Sequence, residues 1–131
     1  MLIKVSITNN ILRKKSILFL ISDFHDEAYE NHLAAAAEKH DLVCIQLLDP
    51  REEKAPDKGL YRFVDPESGN TRLYDGRSPQ ARKEWEALYS RRQQALKSKI
   101  REKGGDFLTL HAGEDWIRPL SRFFMQRGGL L

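Results

Sequence analysis

Disulfide bridges are excluded from the start, because the 131-residue chain holds one cysteine, Cys44, and a lone thiol builds no metal site either. Cys44 lies inside DLVCIQLL, a strand-like run in which a thiol packs as a small hydrophobe. Long apolar runs are also missing. None approaches the ~20 residues that a membrane-crossing helix requires, so no contact with a membrane is expected. The opening residues, MLIKVSITNNILRKK, place their charges after a short apolar run and lack a small-residue cleavage site. This argues against a secretory leader and makes a cytoplasmic location the expectation. Nor is there an excess of one charge: 22 basic and 19 acidic residues leave a net +3, with the two signs interleaved. The most basic stretch holds Arg91, Arg92, Lys97, Lys99, Arg101 and Lys103, but it also carries a helical apolar stripe. It reads as a solvated helix face, and nucleic acid is not an expected partner.

What remains is 40% hydrophobic and 31% charged, the composition of one soluble globular domain over residues 1–131. A chain of this length buries roughly two thirds of the surface it exposes when unfolded, enough for a real core. SILFLI, from Ser16 to Ile21, is a short continuous apolar run and predicts a strand covered on both faces, as in a parallel sheet. DEAYENHLAAAAEKH then spaces Tyr29, Leu33, Ala36 and Ala37 as a helix does, with Asp26 as its N-cap and small residues that let it lie close to a sheet. His40 and Asp41 close that helix. DLVCIQLL predicts a second buried strand, stopped at Asp49-Pro50 because proline cannot donate to a ladder.

The pattern then changes. Two extended runs, Leu60 to Val64 and Thr71 to Tyr74, flank the turn-rich DPESGN and predict an inserted β-hairpin. Ser78-Pro79 supplies an N-cap and a first-turn proline for the longest helix, whose stripe runs through Trp85, Leu88, Tyr89, Ala95, Leu96 and Ile100 to Gly104-Gly105. DFLTL predicts a third buried strand, parallel to the other two, and a last helix follows, with Asp115 as cap and Pro119 in its first turn. No repeat or low-complexity segment interrupts this order. The expected class is α/β, a parallel sheet flanked by helices.

One stretch carries candidate chemistry. The first strand ends in Asp23-Phe24-His25-Asp26, and an acid beside an imidazole at a strand's carboxyl end is how metal-dependent phosphoesterases of the calcineurin-like type begin. A two-metal site needs further ligands, from a Gly-Asp-x-x-Asp, a Gly-Asn-His-Glu and a Gly-His-x-His. His32, His40 and His111 stand in no such context. That enzyme is the alternative reading, and the bland one makes His25 a loop residue and Asp26 a helix cap. DPREEKAPDKG, which contains Asp49, Arg51 and Glu52, is a surface loop by composition and a candidate for recognition.

SILFLISDF, YENHLAAAAEKHDLVCIQLLDPREEKAPDKGL, VDPESGN and GGDFLTLHAGEDWIRPLSRFFMQR together resemble the C-terminal part of the domain-of-unknown-function family fifty-eight, over nearly all of residues 13–127. Its most specific parts are His40-Asp41, the Asp-Pro-Arg-Glu beginning at Asp49, the hairpin's Asp-x-Glu-x-Gly and the terminal Phe-Phe-x-x-Arg. The resemblance implies a partial von Willebrand factor A-like, Rossmann-like fold. It also implies a non-enzymatic protein-interaction module working with a MoxR-type AAA+ ATPase in assembly or chaperoning. In that fold the acid ending the fourth strand, here Asp23, belongs to a metal-ion-dependent adhesion site that holds Mg²⁺. The first strand's Asp-x-Ser-x-Ser, which supplies other ligands, does not occur in this sequence; DGRSP at Asp75 has Arg77 and Pro79 in place of the serines. The expectation is therefore the second half of such a domain with an incomplete site and no bound metal. The binding residues would be Asp23, His25, Asp26, Asp49, Arg51 and Glu52, and a homodimer could form through the first strand's open edge.

Overall fold

The computed structural model describes residues 13–25, 30–64 and 68–128. Asp26 and Tyr29, expected to open the first helix, and the hairpin tip at residues 65–67 lie outside the described residues. The elements, in chain order, are β1 (Ile17–Ser22), α1 (Glu30–Lys39), β2 (Asp41–Leu48), α2 (Pro50–Glu53), β3 (Leu60–Val64), β4 (Thr71–Asp75), α3 (Pro79–Glu102), β5 (Asp106–His111) and α4 (Ile117–Arg127). The fold is mixed α/β, with a parallel sheet of order β1-β2-β5 flanked by helices and an antiparallel β3-β4 hairpin, as the sequence predicts. The chain divides into two compact units, residues 1–49 with 95–131, and residues 50–94.

The first unit is built on the parallel sheet. Ile17 pairs with Asp41 and Ser22 with Gln46 across β1 and β2, while Val43 pairs with Asp106 and Leu48 with His111 across β2 and β5. Alternation along β2 sends its side chains to two cores. On one face Leu42 and Cys44 pack with Leu20, Phe24, Leu33, Ala36 and Ile100, so α1 and the end of α3 lie there. On the other, Val43, Ile45 and Leu110 meet Leu120 and Phe123 of α4. Buried on both sides, β2 is the central strand that its continuous apolar sequence requires.

β1 departs from the expectation of cover on both faces. Its inward residues Leu20 and Ser22 are buried, but Ile17, Phe19 and Ile21 are 58%, 46% and 55% exposed. A continuous apolar run identifies a strand but does not say how many layers will cover it. Phe19 does touch the ring of Phe124, centroids 5.9 Å apart.

Local chemistry sets the helix ends. At the start of α3, the Ser78 hydroxyl accepts the Ala81 N–H at 3.3 Å, as an N-cap should. The helix stops at Gly104, whose φ of 89° is open to glycine, with the Gly105 N–H donating back to the Ile100 carbonyl at 3.0 Å. Asp115 caps α4 through Oδ1, which accepts the Ile117 N–H at 3.0 Å. Of the stripe expected along α3, Ile100 is buried, Trp85, Leu88, Tyr89 and Leu96 are half-buried, and Ala95 is exposed.

Asp41 opens β2 and does not close α1. Its N–H donates to the Ser16 carbonyl at 2.9 Å, and its carboxylate accepts from Arg127 at the end of α4. Arg127 also holds Asp106 at 2.8 Å, joining the starts of β2 and β5. His40 does terminate α1, and its buried Nδ1 accepts the Ser16 N–H at 3.2 Å.

In the second unit, Leu60 pairs with Asp75 and Val64 with Thr71. Its centre is Tyr74, 4% exposed, whose ring lies 5.2 Å from that of Trp85 and whose hydroxyl donates to the Pro56 carbonyl at 2.8 Å. Pro50, expected to end β2, also begins the one-turn α2, where its missing N–H costs nothing.

Candidate functional site

The candidate site lies at the carboxyl edge of the parallel sheet, where loops leaving parallel strands collect polar groups. Immediately after β1, Phe24 adopts a φ of 58°, a left-handed conformation rare for a bulky residue. Two short hydrogen bonds hold the turn: the Phe24 N–H donates to the Ser22 hydroxyl at 2.9 Å, and the His25 N–H to Asp23 Oδ1 at 3.2 Å. The Phe24 ring is buried, edge-on to Phe107 with centroids 6.2 Å apart. Apolar burial therefore pins the middle residue of Asp-x-His, and its neighbours Asp23 and His25 are turned out to solvent. Ser22 and Phe24 are the supports that sequence reasoning missed. The signal available was an aromatic residue placed between an acid and a histidine.

Asp49 leaves the carboxyl end of β2, so the structure brings Asp23, His25 and Asp49 to one edge of one sheet. Asp26 lies outside the described residues, and Arg51 and Glu52 are exposed on α2, in the second unit. His111 and Glu114, at the carboxyl end of β5 and 3.9 Å apart, share the edge with Asp23. The i,i+3 spacing of His-Ala-Gly-Glu after a strand could have found this pair. Among the described residues, no three His, Cys, Asp or Glu side chains are grouped to hold a metal ion. The arrangement as described offers an exposed carboxylate and imidazole on a fixed turn.

Cys44 sits under this edge as core. Burial, with a smaller contribution from Asp106, pushes its thiol up to about 12, so it is no nucleophile at neutral pH.

The family described as Protein of unknown function DUF58 matches residues 3–95. This chain belongs to the DUF58 family. The matched span runs through β1, α1, β2 and the hairpin into α3, and it contains Asp23, His25, Asp26, Asp49, Arg51 and Glu52. An uncharacterized protein of Mycobacterium avium is 31% identical over 116 residues, 88% of this chain and 68% of its own length. Uncharacterized proteins of Mycobacterium bovis and Mycobacterium tuberculosis are each 29% identical over 116 residues, 88% of this chain and 36% of theirs. The DUF58 chain thus spans about a third of the length of these two relatives. No solved structure matches it. Among the described residues, no helix is long and apolar enough to cross a membrane.

Proposed function

We propose that this DUF58 chain is a non-enzymatic protein-interaction module of von Willebrand A type, which works with a MoxR-type AAA+ ATPase in assembly or chaperoning. The observation that supports this reading is the turn after β1. Phe24 is held at a φ of 58° by its buried ring, which fixes Asp23 and His25 as an exposed pair at the sheet's carboxyl edge. A pair presented on a rigid turn loses little conformational freedom when a partner covers it, which favours recognition. The partner would read Asp23 and His25 together with Asp49, and Mg²⁺ would belong to a complete adhesion site with more ligands than Asp23.

The test is capture of a purified MoxR-type ATPase on the immobilised chain, followed by the same measurement with Asp23→Ala and His25→Ala. Retention by the parent chain and loss in both variants is the expected result. Equal retention by all three would overturn the assignment of the surface. Manganese-dependent hydrolysis of a phosphodiester that vanishes in Asp23→Ala would replace it with an enzyme.

A further inference from the structure

Away from the carboxyl edge, the first unit carries a cleft of about 540 Å³ lined by Phe107 and Leu108 of β5, Arg101 of α3, and Arg118, Arg122 and Phe123 of α4. Its position follows from the two cores. Phe107 packs on the face that carries α1 and α3, and Leu108 on the face that carries α4. A cleft touching both of these consecutive residues, and a helix from each face, lies along the outer edge of β5. No described strand pairs with that edge.

Half of the backbone groups of β5 face that edge. The Ala112 N–H donates to the Leu48 carbonyl at 2.8 Å, so strand alternation turns the polar groups of Leu108 and Leu110 toward β2 and those of Phe107 and Thr109 outward. Arg101 and Arg122 are exposed and make no ion pair among the described residues, whereas Arg127 nearby is committed to Asp41 and Asp106. Among the described residues, the Arg118 guanidinium keeps only a 3.9 Å contact with Asp115. The edge therefore has a guanidinium on each flank.

We propose that β5 accepts an added strand from a partner protein, an extended segment with neighbouring acidic residues. Extended backbone sends successive side chains to opposite faces, so two consecutive acids would meet Arg101 on one flank and Arg122 on the other, while the main chain pairs with Phe107 and Thr109. A free anion would use the guanidiniums but leave the strand edge and the apolar rings unsatisfied. This deepens the interaction-module reading and rests on it, naming the partner's chemistry at a second surface.

A fluorescein-labelled Thr-Val-Glu-Glu-Val-Thr peptide, titrated into the full chain and followed by anisotropy, tests it. Arg101→Glu and Arg122→Glu, both at exposed positions, should each weaken binding on the order of tenfold. N-methylation of every backbone amide of the peptide should abolish it, because the main chain then has no donors to give. Undiminished binding of the N-methylated peptide, or indifference to both reversals, overturns strand addition. Competition by inorganic phosphate or a single-stranded oligonucleotide at the peptide's own concentration overturns the acidic-peptide assignment. None of these failures alters Asp23-dependent capture of the ATPase, and loss of that capture with the peptide still bound removes only the earlier reading.

Discussion

Phe24 shows how one side chain decides the geometry of its neighbours. Phe24 is 7% exposed and its φ of 58° is held against local preference, so burial outweighs backbone strain of order 1–3 kcal/mol. Phe24→Ala should lower stability by about 3 kcal/mol, since a buried aromatic is lost while the strained backbone remains. The midpoint of urea unfolding measures this. Cys44 gives a second expectation, with a definite sign. Its ordinary value of 9.0 is raised to about 12 in the fold, so between those pH values the unfolded chain gives up a proton that the native one keeps. Stability should therefore be unaffected by this thiol below pH 9 and should fall as pH rises above it. In Cys44→Ala the unfolding free energy, measured across pH 8 to 10, should fall less steeply than in the parent chain.

Among the elements, the hairpin has the narrowest tolerance. A Cβ on Gly76 would come within 2.6 Å of the Pro56 carbonyl and 2.8 Å of the Lys58 nitrogen, both backbone atoms that cannot rotate away. The Gly76 N–H also donates to the Gly59 carbonyl at 2.9 Å. Gly76→Ala should cost about 2–3 kcal/mol through overpacking. Hydrogen exchange should show the loss in β3 and β4, and an unchanged protection pattern there would contradict it. β1 gives the other expectation at this scale. The Asp41 N–H donates to the Ser16 carbonyl, so Leu18 and Leu20 turn their backbone groups to β2, and Phe19 and Ile21 turn theirs away. If two copies pair through this edge, Ile21→Pro should abolish the dimer seen by light scattering, because it removes an outward donor and leaves the β1-β2 ladder whole. A dimer that survives Ile21→Pro would place the contact elsewhere.

For the whole molecule, the question is whether a metal ion is part of the native state. A ligand that binds only the folded chain must raise its melting temperature by linkage. With Asp23 the one carboxylate that the resemblance assigns to the adhesion site, Mg²⁺ or Mn²⁺ at low millimolar concentration should leave the melting temperature unchanged. A rise that disappears in Asp23→Ala would show that Asp23 has found partners, and the interaction reading would then need a metal at its centre. The same melt in Asp23→Ala without metal should match that of the parent chain, because among the described residues the exposed carboxylate accepts only the His25 N–H beside it.

The sequence by itself determined the elements whose causes are local. The continuous apolar run of DLVCIQLL gives β2, Ser78-Pro79 starts α3, Gly104-Gly105 stops it, and the turn residues between two extended runs make the hairpin. Each depends on residues within a few positions of one another, where periodicity, capping and the freedom of glycine are strong enough to act alone. It also placed Asp23 at the end of β1, because the apolar run stops there. Tertiary structure decided what depends on distant partners. Whether β1 is covered on one face or two depends on which helices reach it. Asp41 became the start of a strand because Ser16 and Arg127 meet it there. Phe24 turned Asp23 and His25 outward because Phe107, far along the chain, makes room for its ring. The cleft beside β5 exists because Arg101 and Arg122 arrive on opposite faces of one strand, a coincidence of packing that leaves no mark in local spacing.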